Sequence, residues 1–225
     1  TVVGPETPLV NGITDQFHLL NRSCLGPTQN AARLEGSKAF AKSFMRRHQI
    51  PTARYQIFDN TGKALSHARK MGPPLVIKAD GLAAGKGVVV AHTLAQAESA
   101  IRQLLDERRF GAAGDRVILE DFLTGEEASF ICLVSNDQVL PLATSQDHKA
   151  RDVGDGGPNT GGMGAYSPAP VITPVLYEHI MQKVIEPTVR GLDRDGISYT
   201  GFLYAGLMID RRGSARVLEY NCRLG

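Results

Sequence analysis

Val76-Ile77-Lys78-Ala79-Asp80-Gly81-Leu82-Ala83-Ala84-Gly85-Lys86-Gly87-Val88 carries an apolar strand into a glycine loop and back out into apolar sequence. The spacing from Gly81 to Gly85-Lys86 is too short for a Walker A loop, and Gly87 stands where that loop needs Ser or Thr. A flap laid over phosphates fits better. Its backbone N–H groups at Gly81, Gly85 and Gly87 reach phosphate oxygens while Lys78 and Lys86 neutralise charge. The plainer alternative is a tight hairpin with a surface lysine. Lys78 closes an apolar strand, and an ammonium placed there needs a partner, which favours the flap.

Working outward, the flap sits inside an α+β unit spanning residues 52–122. Strands are predicted at Tyr55 to Phe58, Leu75 to Lys78, Val88 to Ala91 and Arg116 to Phe122, with helices at Thr61 to Met71 and Leu94 to Phe110. A unit of that size is expected to act as a mobile lid. Residues 1–41 read as the end of a doubly wound α/β domain. There Thr1 to Val3 is a strand, Asn11 to Leu20 a helix, and Asn30 to His48 has helical spacing stopped by Ile50-Pro51. The lid lies within a second domain, residues 42–225, which continues beyond it with strands Glu127 to Val134 and Gln138 to Thr144. A helix from Pro174 to Asp193 and strands Tyr199 to Ile209 and Ala215 to Asn221 follow. The glycine-rich stretch Asp152 to Ala165 is expected to lack regular structure. The fold class is therefore α/β followed by α+β.

Further motifs carry chemistry. Asn159-Thr160-Gly161-Gly162-Met163-Gly164-Ala165-Tyr166 follows Asp147-His148-Lys149, and its glycines suit close backbone approach to an anion. In Val217-Leu218-Glu219-Tyr220-Asn221-Cys222-Arg223, strand alternation places Glu219, Asn221 and Arg223 on one face and Leu218, Tyr220 and Cys222 on the other. A carboxylate, an amide oxygen and a guanidinium on one face suit a Mg²⁺–phosphate assembly, although a solvated ion pair would read the same way. Glu120-Asp121-Phe122-Leu123 leaves the lid where an adenine could meet backbone groups. Glu126-Glu127 offers a carboxylate to ribose; an acidic turn is the alternative. His18, His48, His67, His92 and His179 carry no assigned role.

Composition narrows the class. The 225 residues are 42% hydrophobic and 21% charged, with a net charge of +2. That balance argues against a nucleic-acid partner. No apolar run approaches a membrane span, and a cytoplasmic protein is expected. Cys24, Cys132 and Cys222 have no metal-ligand spacing and suit a reducing compartment. Both ends read as cut within a longer protein.

The motifs together resemble those of one family. Gly4-Pro5-Glu6 with Pro8-Leu9, Glu35-Gly36-Ser37-Lys38, Lys78 to Gly87, Glu126 to Phe130, Ser145 to Lys149, Gly157 to Tyr166 and Tyr199 to Cys222 are similar, in unbroken order, to phosphoribosylamine–glycine ligases. These are ATP-grasp enzymes of purine synthesis, in which two α+β subdomains clasp ATP. The resemblance implies ligation of glycine to 5-phosphoribosylamine, through glycyl phosphate, by a monomer using Mg²⁺ or Mn²⁺. It implies that Lys38, Lys78, Gly81, Gly85, Lys86 and Gly87 hold ATP phosphates. Glu120, Asp121, Phe122 and Leu123 would meet adenine and Glu127 the ribose. Glu219 and Asn221 would bind the metal, and Arg223 and Lys78 would act on the reacting groups. Gly4, Pro5, Glu6, Asp147, His148, Lys149, Asn159, Thr160, Gly161, Gly162, Met163 and Gly164 would surround the two substrates. Leu224 stands where the family has Phe, and Ala150 where it has Arg. The strand Leu203 to Leu207 lacks the carboxylate that many ATP-grasp enzymes carry there. The family's opening glycine-rich unit and its C-terminal domain lie outside this chain. Another ATP-grasp carboxylate–amine ligase and a catalytically inactive nucleotide-binding regulator are the competing readings.

Overall fold

Apolar residues at alternate positions in the central strands, and at helical spacing in the segments between them, produce two sheets with separate cores. A computed structural model describes residues 1–83, 87–153 and 156–224; the side chains of residues 112, 149–150, 156–159 and 161–162 lie outside that description. In the first sheet, β1 (Tyr55–Phe58), β4 (Val117–Asp121), β2 (Leu75–Ala79) and β3 (Val88–Ala91) lie side by side in that order, each pair antiparallel. Helices α5 (Thr61–Met71) and α6 (Leu94–Leu105) cover one face, burying Leu75, Ile77, Val117 and Leu119 against Ala64, Ala68, Ala97 and Ile101. Thr93 and Gln96 form a capping box at the start of α6, which explains its sharp onset. Helix α6 stops at Leu105, short of the predicted Phe110. Glu107 and Arg109 donate backbone bonds back to Arg102 and Gln103, and a 3₁₀ turn follows at Gly111–Gly114.

The second sheet has the order β10 (Ala215–Asn221), β9 (Thr200–Ile209), β5 (Glu126–Ser135) and β6 (Gln138–Pro141), again antiparallel. Its core joins Phe130, Cys132, Leu203, Leu207 and Tyr220 to Phe44 and Met45 of α4 (Lys38–Arg47) and to Ile180, Val184 and Val189. The latter belong to α7 (Pro174–Ile180), a π turn (Met181–Ile185) and α8 (Glu186–Arg194). Pro187 has no N–H to return to Lys183, and the widened turn absorbs the loss. Residues 30–48 form two helices rather than one, α3 (Arg33–Gly36) and α4. The break is at Ser37, whose extended backbone lets its hydroxyl accept from Phe40 N–H at 3.1 Å. At the front of the chain, α1 (Glu6–Val10) and α2 (Ile13–Leu19) pack beside a single parallel bridge between Val2 and Leu25.

A further expectation is overturned. Residues 152–165, predicted to lack regular structure, belong largely to a hairpin of β7 (Gln146–Asp152) and β8 (Gly156–Tyr166). Glycine has poor strand propensity. The hairpin instead follows the second sheet: Ser129 and Ser145 exchange backbone hydrogen bonds at 2.7 and 3.1 Å, handing β7 its direction from β5. Among the described residues no helix is long and apolar enough to cross a membrane.

Candidate active site

The end of β2 delivers Lys78 to the junction of the two sheets. Only 6% exposed, its ammonium ion-pairs with Glu120 Oε1 at 2.7 Å and donates to the Leu218 carbonyl at 3.1 Å. The other oxygen of Glu120 pairs at 2.6 Å with Lys42, a residue without a sequence-level role. Lys42 also donates to Thr52 Oγ1 at 2.7 Å, and that hydroxyl donates to the Val217 carbonyl at 2.7 Å. Burial pushes the Lys42 ammonium down to about 8, against the pull of Glu120. Burial alone would raise the Glu120 carboxyl, but Lys78 and Lys42 outweigh it and hold the group below the usual carboxylate range. One buried carboxylate thus serves two buried ammoniums, leaving the cluster with a net positive charge. The Glu120 side chain is spent on the lysines, so its backbone is the part left to meet a base.

Lys38 opens α4 from the other side. Its N–H donates to the Asp80 carbonyl at 2.8 Å, and Asp80 Oδ1 accepts from Ser37 Oγ at 2.8 Å and Ala39 N–H at 2.7 Å. The flap therefore starts against the helix that presents Lys38. Burial lowers the Lys38 pKa, opposed by Glu219 and assisted by Lys78, which places the three side chains in one field. Gly81 and Gly87 are explained by close approach. A Cβ at Gly81 would meet Ala113 Cβ at 2.8 Å, and one at Gly87 would meet Ala83 Cβ at 2.6 Å. Gly85 and Lys86 lie outside the described residues.

Strand β10 reaches this junction through a bulge. Its register slips between Val217 and Glu219, so Val217 and Tyr220 both enter the core although they differ in parity. Leu218 sits at the slip, rather than in simple alternation with Tyr220 and Cys222 as expected, and turns its carbonyl to Lys78. Unbroken alternation would have sent Glu219 inward beside Val217; the bulge sends Glu219 and Asn221 to the open face. Arg223 follows on, its Nε 3.3 Å from Glu6 Oε2 and 3.4 Å from Glu35 Oε1. Glu35 Oε2 accepts the Cys222 N–H at 2.7 Å. Gly4 and Pro5 are exposed just before Glu6.

Phe122 and Leu123 line a cavity of about 150 Å³ with Thr124, Met208, Asp210, Ser214 and Arg216. Register puts Val88 and Val90 on the same face of the first sheet as Lys78, and both are exposed. That apolar sheet face and Met208 are surfaces suited to a flat base, and motif reading missed both. Asp121 is engaged by Arg54 at 2.6 Å, and Glu127 is paired in register with Met208. In the hairpin, Asp147 Oδ1 accepts from Ser129 Oγ at 3.3 Å, and Ser129 Oγ lies 2.5 Å from the Tyr204 hydroxyl. The His148 ring lies 5.4 Å from that of Tyr166. Thr160 is half-buried, while Met163 and Gly164 are exposed on β8. The backbones of Lys149, Asn159, Gly161 and Gly162 belong to the same hairpin; the side-chain positions of Lys149 and Asn159 fall outside the described residues.

Residues 36–225 match the model of the phosphoribosylglycinamide synthetase ATP-grasp (A) domain, and residues 1–35 match that of the N domain. The chain belongs to the phosphoribosylglycinamide synthetase family. A phosphoribosylamine–glycine ligase of Allochromatium vinosum is 60% identical over all 225 residues, which cover 53% of that relative. The chain thus spans about half the length of the curated relatives it matches. The crystal structure of phosphoribosylamine–glycine ligase from Thermotoga maritima superposes with a TM-score of 0.84 at 35% identity, covering 94% of this chain and 54% of that one. The biotin carboxylase domain of a Hydrogenobacter thermophilus carboxylase, solved with MgADP and bicarbonate, reaches 0.78 at 17% identity. That match covers 100% of this chain and 48% of that one, and it shares the ATP-grasp fold.

The donor set suits a hard cation within this family's frame. Glu219 and Asn221 offer oxygens on one face of β10 and remain partly open. Among the described residues no group of three His, Cys, Asp or Glu side chains is arranged to hold a metal. Mg²⁺ needs no such cage, since it takes few protein oxygens and completes its shell from phosphate and water.

Proposed function

We propose that the full-length protein joins glycine to 5-phosphoribosylamine at the cost of ATP, yielding glycinamide ribonucleotide, ADP and phosphate. The observation that carries this reading is the meeting of Lys38, Lys78 and Glu219, from α4, β2 and β10, beside Arg223. That is a cationic, carboxylate-bearing junction, of the kind that phosphoryl transfer between bound substrates uses.

In this reading residues 52–122 close as a lid over ATP, after an N-terminal unit ending near residue 41. The base enters between the apolar lid face and Met208, beside Phe122 and Leu123, and Glu127 takes the ribose hydroxyls. Lys38, Lys78 and the flap from Gly81 to Gly87 hold the phosphates. A glycine carboxylate oxygen attacks the γ-phosphorus, the bond to the bridging oxygen breaks, and ADP leaves. The phosphoribosylamine nitrogen then attacks the acyl carbon; phosphate departs with its oxygen and the amine loses a proton to solvent. Arg223, held between Glu6 and Glu35, lies where charge develops on the acyl phosphate. Asp147, His148, Lys149 and the Asn159 to Gly164 strand line the amine side, with Ser129 steadying Asp147. Mg²⁺ on Glu219 and Asn221 would screen phosphate charge, and Mn²⁺ would use the same oxygens.

The deciding measurement is ADP release by the full-length protein with Mg-ATP, omitting glycine and the amine in turn. Release that depends on both supports the ligase. Release that persists without phosphoribosylamine, but responds to another amine, selects a different ATP-grasp ligase. Nucleotide binding with no release points to a regulator.

A further inference from the structure

Lys42 presents an unusual arrangement. It is 2% exposed, lies on a helix that otherwise buries Ala39, Ala41, Phe44 and Met45, and is fully engaged by Glu120 and Thr52. A lysine in such a position costs stability unless it does something an apolar side chain cannot. Glu120 is already satisfied electrostatically by Lys78 at 2.7 Å, so neutrality at the junction does not need Lys42. With Lys42 present the three-residue cluster carries a net charge of +1; without it the cluster is neutral, and Glu120 closes on Lys78 alone. The cluster also spans four elements: α4, β2, β4 and, through the Leu218 carbonyl and Thr52, the stretch of β10 just before Glu219.

We infer that Lys42 is a positioning residue for nucleotide binding: by sharing Glu120 it leaves the Lys78–Glu120 pair with a net positive charge to offer phosphate, and it ties α4 to β4 at that point. The inference rests on the reading of Lys78 as a phosphate ligand. Lys42 does not touch the nucleotide itself. Its charge is felt through the Glu120 carboxylate, which would otherwise hold the Lys78 ammonium as a closed pair.

The test is MgADP affinity of the full-length protein, measured by calorimetry, for wild type, Lys42→Met, and the double variant Lys42→Met with Glu120→Gln. Lys42→Met is expected to bind about tenfold more weakly, the loss of one partly screened charge near the phosphates. The double variant restores a net charge of +1 on Lys78 and is expected to return to within about threefold of wild type. A merely structural Lys42 would leave the double variant as weak as the single one or weaker, and that result overturns the inference. So does wild-type affinity in Lys42→Met. Should Lys42→Met not fold, Thr52→Val takes its place, removing one acceptor from the ammonium without changing charge. The groups acting on Lys42 are Glu120, Lys78 and Glu219, with the Tyr55 ring 6.0 Å away. Thr52→Val is expected to move the fall in MgADP affinity to lower pH, and an unmoved curve again overturns the inference. MgADP binding needs neither glycine nor amine. Failure of the ligase reading would appear separately, as wild-type turnover independent of those substrates.

Discussion

Glu219 lies outside the apolar core: Ala215, Val217 and Tyr220 carry the core contacts of β10, while the Glu219 carboxylate acts on Lys38. Glu219→Ala is therefore expected to abolish ADP release while the thermal midpoint stays within about 3 °C of wild type. Retained turnover would remove Glu219 from the metal site. Glu35 is the converse case, being buried and holding both the Cys222 N–H and the Arg223 side chain. Glu35→Ala strands a buried donor and a guanidinium together and is expected to cost about 2–4 kcal/mol by denaturant unfolding. Lys42 provides a signed pH dependence. Its folded pKa lies near 8, below its ordinary value of 10.5, so the unfolded chain binds the extra proton between these limits. The cost of burying the charge is full below pH 8 and is relieved as pH rises toward 10.5, so this group makes stability climb across that window. Nucleotide affinity is expected to fall over the same range. Unfolding and calorimetric titrations at pH 7 and 9.5 would show the two trends crossing, in wild type but not in Lys42→Met. Of these residues only Glu219 was given a role by its motif; Glu35 stood in the Glu35-Gly36-Ser37-Lys38 motif without one. Lys42 sits in an ordinary helical pattern, and its partners Thr52 and Glu120 are 10 and 78 positions away.

At the scale of elements, the strand–flap–strand of β2 and β3 was legible because apolar alternation flanks a glycine loop. Ser37 likewise marks a helix start by its side-chain chemistry, although the spacing across it suggested one helix. The β7–β8 hairpin was not legible, since its pairing is borrowed from β5 and its glycines favour no regular state. Two glycines separate flap from scaffold. Gly87→Ala places a methyl 2.6 Å from Ala83 Cβ inside the flap and is expected to raise the KM for ATP several-fold with little change in unfolding. Gly125→Ala places one 2.0 Å from the Ile209 carbonyl oxygen where β5 enters the second sheet. It is expected to cost about 3 kcal/mol or more, measurable by denaturant unfolding, since backbone must move. Comparable stability losses in both variants would contradict this division.

For the whole molecule, the two sheets have separate apolar cores, so the proposed closure of residues 52–122 would not have to break a shared apolar interior. Closure on MgADP is expected to slow hydrogen exchange in β2, β3 and the first turn of α4, leaving the outer turns of α5 and α6 unchanged. Uniform protection across both sheets would instead indicate global stabilisation without closure. Local periodicity and motif order determined by themselves the strands and helices around the first sheet and the family, and they put forward the residues of the candidate site, because each of those signals is complete within a few neighbouring residues. Only the tertiary structure decided that a bulge displaces Leu218 from the face of Tyr220, what Lys42 and Glu35 hold, and that the glycine-rich stretch forms a hairpin. A bulge, a buried ion cluster and a borrowed strand register all depend on partners far along the chain, and no local pattern records them.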